Sequence, residues 1–371
     1  LLSALMTTLA PSDVVSVANP QLTTFIAVRG YLTTPIVLEY QIWSRATTTP
    51  AQVWPTVAGT RADVDLVNDL VSAGQYAATW TVPSDATEGR YEIRWFATIE
   101  DGANEVRWSR MFDVRAGAFV GQDRAPYALV SDVRAEGTFN NVTDERILES
   151  ILSASEQIDA WTSRSFVPIQ KDIRLHGLGK SILPLGEPIC AIEDVRFDRT
   201  TDAITRDSYR VRARHLTDNL RDPDDRESPA IEFVAPYTVP DELWPDVSGY
   251  NDQRGVGGSR QFYAGTQNVV ISGVFGYTEF DGSPLGRTPR AVRRACVLLA
   301  LRKIFPQTSS QGWWAQNEAF ITEKRTREQS ITIGGPGGGK GGSGGIAGPT
   351  GDPEIDRLIM SVMPALRGTG C

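Results

Sequence analysis

The stretch that decides the fold of the second half of the chain is residues 143–161, which read TDERILESILSASEQIDAW. Thr143 is a suitable N-cap, and Asp144 and Glu145 lie where negative charge favours the helix dipole. Leu148 and Leu152 widen an apolar stripe whose spacing of about 3.6 residues per turn is typical of an amphipathic α-helix. The stripe itself is formed by Ile147, Ile151, Ala154, Ile158 and Trp161. The pattern predicts a helix that must bury this face.

Upstream of this helix, residues 16–116 have the pattern of short strands separated by turns. Residues 37–43 (VLEYQIW) and 91–95 (YEIRW) alternate between apolar and polar side chains, as half-buried strands do. Asp101-Gly102 lies between two such runs and favours a hairpin. The region is therefore predicted to be a β-sandwich, preceded by an N-terminal segment at 1–15 and followed by a linker at 117–126. Its candidate core residues are Trp80, Tyr91, Ile93 and Trp95.

Downstream, helix and strand patterns are mixed. Ser131-Asp132 is placed to cap a short helical turn, and strand patterns return at 173–175, 182–185, 192–197, 209–212, 231–234 and 269–277. A second helix begins at Thr288-Pro289, with Pro at its first position, and runs to Phe305. A third helix is predicted over 313–327. The second helix carries basic side chains at Arg290, Arg293, Arg294, Arg302 and Lys303.

The C-terminal part combines a glycine-rich segment with a short amphipathic pattern. Residues 334–351 contain 11 glycines, and the composition predicts a flexible linker over 331–351. Residues 352–371 follow as a docking segment, whose helix starts at Asp352-Pro353. The apolar face of that helix consists of Ile355, Leu358, Ile359, Val362 and Met363. The pattern leaves open whether this face docks on its own chain or on a neighbour.

Composition argues against several classes of function. Lys plus Arg total 37 against 45 Asp plus Glu, so the net charge is −8, which disfavours a protein that grips DNA phosphates. Cys190, Cys296 and Cys371, with His176 and His215, have neither the spacing of a disulfide framework nor that of a metal site. No apolar stretch reaches the length of a membrane span, and the N-terminus has no basic signal region.

No motif for catalysis or cofactor binding stands out. Residues 334–340 read GGPGGGK and match the letters of a phosphate-binding loop, but Gly341 follows where Ser or Thr would ligate magnesium. The sequence therefore predicts no metal, no cofactor and no enzymatic activity.

Residues 143–166 resemble the first helix of the head-to-tail connector (adaptor) proteins of tailed bacteriophages. The similarity continues through the hairpin at 183–189 and the strand at 192–197, and it ends with the closing strand VVISGVFGY (269–277) and the helix start PRAVRRA (289–295). It covers about residues 127–330. The N-terminal region resembles bacterial and phage immunoglobulin-like modules at AGQY (73–76), WTVP (80–83) and EGRY (88–91).

The resemblance implies a multi-domain α+β fold: an all-β immunoglobulin-like sandwich at 16–116, then an α-helical adaptor domain with an inserted β-region at 127–330. It further implies a virion neck protein, assembled in the host cytoplasm, that forms a ring, typically twelvefold, between the portal protein and a stopper or tail-completion protein. DNA would pass through without specific binding. The N-terminal domain would contact the major capsid protein or other neck proteins.

Three sets of residues become candidates for contacts in such a ring. The C-terminal helix face, Ile355 to Met363, is the candidate for docking on the portal or a neighbour. Inter-subunit pairing is assigned to Arg290, Arg293, Arg294 and Arg302, although a solvated helix face explains them equally well. An acidic loop that would face the DNA channel contains Asp222, Asp224 and Asp225, although an ordinary surface loop is the simpler interpretation.

Two other readings compete with the adaptor. One is a baseplate or decoration protein whose β-domain binds a host glycan or the capsid. The other is an enzyme with an unrecognised site, which would require a cluster of perturbed polar side chains in a pocket. The helix pair and the tethered C-terminal helix favour the adaptor, because a decoration protein needs neither.

Overall fold

The structure is a computed structural model of the 371-residue chain. The residues that it describes are 8–18, 21–28, 30–100, 104–115, 125–137, 141–198, 203–212, 229–234, 261–304, 321–325, 330–333, 350 and 352–362.

The described N-terminal part consists of β-strands. They are β1 (Thr8–Leu9), β2 (Val14–Val15), β3 (Thr23–Phe25), β4 (Ala27–Val28), β5 (Tyr31–Leu32), β6 (Val37–Ser44), β7 (Ala51–Trp54), β8 (Ala62–Asp63), β9 (Leu70–Ser72), β10 (Gln75–Ala77), β11 (Trp80–Thr81), β12 (Gly89–Thr98) and β13 (Val106–Val114). The main sheet has the order β1-β13-β12-β6-β7, with β8 also paired to β6. Two smaller sheets, β3-β10-β9 and β11-β2, contribute to the same region.

Aromatic side chains fill the core of this part. Trp80, Tyr91, Ile93 and Trp95 are each at most 2% exposed, so the predicted core residues are confirmed. Strands β12 and β13 pair antiparallel from Gly89–Val114 to Ala97–Val106, which confirms the predicted hairpin arrangement. The all-β character of the N-terminal part is thus as predicted.

The second part contains the helices and the longest strands. Its elements are α1 (Val130–Ala135), α2 (Asp144–Thr162), β14 (Ile169–Gly177), β15 (Ile182–Pro184), β16 (Ile189–Phe197), a 3-10 turn (Arg206–Ser208), β17 (Tyr209–Arg212), β18 (Ala230–Phe233), β19 (Gly265–Phe275), α3 (Arg290–Ile304), β20 (Ile321–Arg325), β21 (Ser330–Ile333) and α4 (Pro353–Met360). The predicted first and second helices and the predicted C-terminal helix are confirmed.

Helices α2 and α3 pack together although more than a hundred residues separate them in the sequence. The hydroxyl of Thr143 caps α2 by accepting the backbone N–H of Arg146 at 3.4 Å. The α2 stripe is buried against α1, α3 and α4. Its fully buried members are Ile147, Ile151, Ala154 and Ile158. This helical layer is one of the hydrophobic cores of the chain.

A β-sheet separates the two long helices in the sequence. Strand β19 is its centre, pairing antiparallel with β14 on one side and β16 on the other. Apolar and β-branched side chains of these strands form a second core with the small sheet β15-β18-β17. Gly273 is required where β19 passes β16, because an added Cβ would lie 2.5 Å from the carbonyl oxygen of Ala191.

The prediction of an α-helical adaptor domain is wrong. The described residues are mostly β, with 40% of them in strands and 21% in helices, and they contain four α-helices. The reason is that β14, β16 and β19 are long, β-branched strands that build a sheet and a core of their own. These strands therefore form a core separate from that of the helices, and the second part is not a helical domain with a small insertion.

A further prediction fails near the C-terminus. Residues 321–325 form strand β20, which pairs with β21, where a helix over 313–327 was predicted. Strand β21 (Ser330–Ile333) also includes residues 331–333, the first three of the predicted glycine-rich linker; residues 334–349 lie outside the described residues.

Candidate functional site

The N-terminal part and the second part are joined by a shared sheet and by several buried or half-buried polar side chains. We call this contact between the two parts the seam. Strand β5 leaves the N-terminal part and pairs parallel with β16, so that β5 and β4 complete the five-stranded sheet β14-β19-β16-β5-β4. Ile192 donates its N–H to the carbonyl of Gly30 at 2.7 Å. The Tyr31 hydroxyl donates to the carbonyl of Tyr209 at 2.7 Å. The two parts therefore share a sheet.

Asp132 joins three elements at this seam. Its carboxylate accepts hydrogen bonds from Arg90 of β12 at 2.5 Å and from Arg293 of α3 at 2.5 and 2.8 Å. It also accepts the N–H of Leu129 at 2.9 Å, in the first turn of α1. The Asp132 side chain is 11% exposed, whereas the arginines are about one-third exposed. One carboxylate thus ties the N-terminal sheet, α1 and α3 together.

A second carboxylate is buried beside it. Asp113, on β13, is fully buried and accepts the N–H of Ser131 at 2.8 Å. Burial raises the pKa of Asp113, and the hydrogen bonds from Ser131 and the charge of Arg115 oppose that rise. Arg115 itself lies 3.5 Å from Asp144, at the start of α2. The end of β13 is therefore fixed to both α1 and α2.

Arg110 makes the third contact across the seam. Its guanidinium lies 3.1 Å from Asp281 and donates to the hydroxyl of Ser283 at 2.9 Å. It also donates to the carbonyl of Gly286, which has a left-handed φ of 72°. Burial lowers the pKa of Arg110, and Asp281 opposes the shift. The contact holds the 281–286 loop against the N-terminal sheet.

A groove runs along the same seam. Its volume is about 320 Å³, and Val106 and Trp108 of β13 face Phe280, Pro284 and Cys190 across it. No charged side chain is among its described lining residues. Val106 and Phe280 remain more than one-third exposed. The groove lining is mainly apolar, apart from the thiol of Cys190 and the hydroxyl of Ser283, and it suits an apolar chain segment.

The C-terminal helix α4 is docked on its own chain. Ile355, Ile359 and Val362 are at most 6% exposed and belong to the core of α1, α2 and α3. Leu358 is partly buried against the same core, and Met363 lies outside the described residues. The predicted docking face is therefore covered intramolecularly in this conformation. Contact of this segment with a portal stays a prediction.

Polar contacts hold α4 at both ends. Asp352 caps the helix by accepting the N–H groups of Glu354 at 2.8 Å and Ile355 at 3.3 Å, and it also pairs with Arg302. At the other end, Arg164 donates to the carbonyl of Val362 at 2.9 Å. These contacts fix the position of the helix along α3.

The basic residues of α3 point to partners within the chain. Arg293 pairs with Asp132; Arg294 pairs with Glu136 at 2.5 Å and lies 3.8 Å from Glu354. Arg302 pairs with Asp352, whose side chain is 3% exposed. Arg290 is exposed, and its backbone N–H is bonded to Glu279 at 2.9 Å. Pairing of these arginines with a neighbouring subunit stays a prediction.

The acidic candidates Asp222, Asp224 and Asp225 lie outside the described residues.

Sequence reasoning missed most of the seam. Ser131-Asp132 was expected only to cap a short helix, and Arg90, Arg110 and Asp113 carried no local signal at all. Alternating strands do place these polar residues among apolar neighbours, but their partners lie up to 176 residues away in the sequence. Only the folded arrangement shows that they form one junction.

Two further kinds of site are missing from the described residues. No three His, Cys, Asp or Glu side chains among them converge on a point where a metal ion would be held. None of the described helices combines the length and apolar character needed to span a lipid bilayer.

Comparisons with known proteins give little. No protein-family model matches the chain, and a comparison with curated proteins finds no match. Among solved structures, the chain is similar to one in "Neck of empty GTA particle computed with C6 symmetry", which describes a gene transfer agent particle. The sequence identity is 15% and the TM-score 0.31, over 49% of this chain and 80% of that chain. Values this low do not establish a shared fold.

Proposed function

We propose that this protein is a structural component of a phage-like particle, an adaptor that forms a ring in the neck between the portal and the stopper or tail. The proposal includes no catalytic activity and no cofactor.

The observation that carries the proposal is the packing of α2 against α3, two helices that a sheet separates in the sequence. This is the order of helix, strands, closing strand and helix by which the sequence resembles the connector proteins. The two helices share one core with α4, and β19 with its neighbours forms the sheet between them. The neck chain found among solved structures agrees with this assignment, but at its TM-score it adds no weight.

The seam supports a mechanical role for the protein. Shared strands, the Asp132 junction and the Arg110 contact hold the N-terminal part against the second part at several separate points. A ring component that transmits load between head and tail benefits from such stiffness. The charged side chains of the seam pair with each other, and no charged side chain is among the described residues that line the groove.

The decisive test is assembly. The purified chain, of 40.6 kDa, is measured by native mass spectrometry alone and mixed with the portal protein encoded in the same genome. The proposal expects a closed ring on the portal, with twelve copies as the resemblance implies. A chain that stays monomeric and ignores the portal would remove the adaptor assignment.

A matched pair of charge reversals sharpens the test. Arg290 on α3 and Arg146 on α2 are both exposed helix arginines. If α3 supplies the inter-subunit surface, Arg290→Glu should abolish ring assembly while Arg146→Glu leaves it unchanged, with equal thermal stability for both variants. Equal assembly of both variants would exclude Arg290 from the interface.

The competing function is a baseplate or decoration protein that binds through its N-terminal part. The exposed apolar groove at the seam is the feature that favours it. Binding of capsid protein or glycan by a chain that forms no ring would support this alternative.

A further inference from the structure

Helix α4 is attached to the rest of the chain in an unusual way. It has eight residues, and its apolar side chains belong to the core that α1, α2 and α3 also form. The last described residue of α3 is Ile304, and the next described residues that belong to this core are those of α4. Between them, β20 and β21 form a sheet of two strands that includes no other described strand.

The seat of α4 is specific for this helix. Its apolar part receives Ile355 and Ile359, its basic part pairs Arg302 with the helix cap Asp352, and Arg164 binds the carbonyl of Val362. Within α4, Asp356 accepts the N–H and hydroxyl of Thr350 at 2.9 and 2.6 Å, which fixes the residue that enters the helix. The seat therefore recognises both the sequence and the direction of α4, and every copy of the chain carries the same seat.

We infer that in the assembled ring α4 of one subunit occupies the seat on the adjacent subunit, so that neighbours are linked by exchange of this helix. The inference rests on the ring assembly proposed above. The partner is thus a second copy of this chain, and the recognised ligand is residues 350–362.

The covalent connection is long enough for exchange. Seventeen peptide units join Ile333 to Thr350, and at about 3.5 Å per residue they span up to about 60 Å. For comparison, a compact globule of 371 residues has a radius of gyration of about 21 Å. The centres of two such globules in contact lie roughly 50 Å apart, so the connection is longer than this spacing. Ten of the sixteen residues at 334–349 are glycine, so few side chains obstruct an alternative path.

Exchange needs no new interface. The contacts in the seat are the same whether the helix comes from the same chain or from a neighbour, so their free energies are nearly equal. In a free monomer only the chain's own seat is close, and the tether favours it. In a ring the neighbouring seat reaches a comparable effective concentration. Exchange then converts a set of separate subunits into a linked belt.

Cross-linking between differently tagged chains tests the inference. Arg294 and Glu354 face each other across the seat at 3.8 Å, and both are well exposed, so substitution at either leaves the apolar contacts in place. One chain carries Arg294→Cys and the other Glu354→Cys, both with Cys371→Ser. The remaining cysteines, Cys190 and Cys296, are buried. The two chains are mixed, assembled on the portal and treated with a short bismaleimide.

The expected result is a covalent heterodimer in the assembled ring and at least tenfold less of it in the unassembled mixture. The double variant in a single chain should form intrachain cross-links as a monomer and a ladder of covalent oligomers in the ring. Native mass spectrometry of the Arg294→Cys chain on the portal checks that this substitution leaves ring assembly unchanged.

The negative outcomes separate the two proposals. A ring whose double variant gives only intrachain cross-links overturns helix exchange and leaves the adaptor function intact. If neither the substituted chains nor the unmodified chain forms a ring, the adaptor function itself is wrong, and helix exchange is excluded with it.

Discussion

Removal of the Asp132 carboxylate should weaken the whole seam, because this one side chain contacts three elements. The perturbation is Asp132→Ala, with Asp132→Asn as a variant that keeps the shape and one acceptor. In the wild type the carboxylate binds the N–H of Leu129 and the guanidinium groups of Arg90 and Arg293. The alanine variant loses all three.

The expected loss follows from these contacts. A side-chain acceptor in the first turn of a helix contributes about 1 kcal/mol. Each ion pair contributes about 0.5 to 1 kcal/mol, because Arg90 and Arg293 are about one-third exposed and water screens them. Both arginines regain water when the carboxylate is removed, so no large penalty for an unpaired charge is added. The sum is about 2 to 3 kcal/mol for alanine and less for asparagine.

Urea denaturation followed by tryptophan fluorescence measures the effect. Five of the nine tryptophans lie in the N-terminal part, and Trp80, Trp95 and Trp108 belong to its core, so the signal reports chiefly on this part. The alanine variant should unfold at lower urea concentration, and its difference from the wild type should shrink in high salt toward the value of the helix contact alone. A variant within about 0.5 kcal/mol of the wild type at low salt would refute the view that this carboxylate holds the parts together.

Three further predictions follow from buried residues. Ile359→Ala should loosen α4 by about 2 to 5 kcal/mol and raise hydrogen exchange at 352–362, whereas Leu358→Ala, only partly buried, should cost about 1 kcal/mol; equal exchange in both variants would contradict the packing. Gly273→Ala should lower the free energy of unfolding by about 1 to 3 kcal/mol because of the close approach of Ala191, whereas Gly186→Ala, with open space around its Cβ, should change it little; this is checked by thermal melting. Burial raises the pKa of Asp113, so the folded state binds the proton of this carboxyl more tightly than the unfolded state does. The stability of the wild type relative to Asp113→Asn should therefore fall as the pH rises from about 4 through the folded-state pKa. Urea midpoints of the two proteins that run parallel from pH 4 to pH 7 would disprove the shift.

Local patterns predicted what local physics determines. The stripe from Ile147 to Ile158, the cap at Thr143 and the Asp352-Pro353 helix start fix their helices by nearest-neighbour rules, and the structure has all of them. Alternation over 37–43 and 91–95 likewise identified β6 and β12. These signals need no knowledge of the rest of the chain.

The errors arose where distant residues decide. The predicted helices suggested a helical domain because their apolar faces are clear in the sequence. The sheet around β19 nevertheless forms a core of its own. Short strand patterns do not show which strands assemble into one sheet. The seam was invisible for the same reason. Tyr31 and Ile192 pair only because two strands that are distant in the sequence become neighbours. In the sequence Asp132 has only the pattern of a helix cap, and its contacts with Arg90 and Arg293 exist only in the folded chain.

The position of β5 also has a consequence for synthesis of the protein. Its partner strand begins at Ile189, so Tyr31 leaves the ribosome long before Ile192, with which it pairs. At 5 to 20 residues per second the delay is roughly 10 to 30 s. During that time β4 and β5 can form only their own hairpin, with one edge unpaired. Chaperone binding would therefore matter most during the interval in which Tyr31 has been synthesised and Ile192 has not.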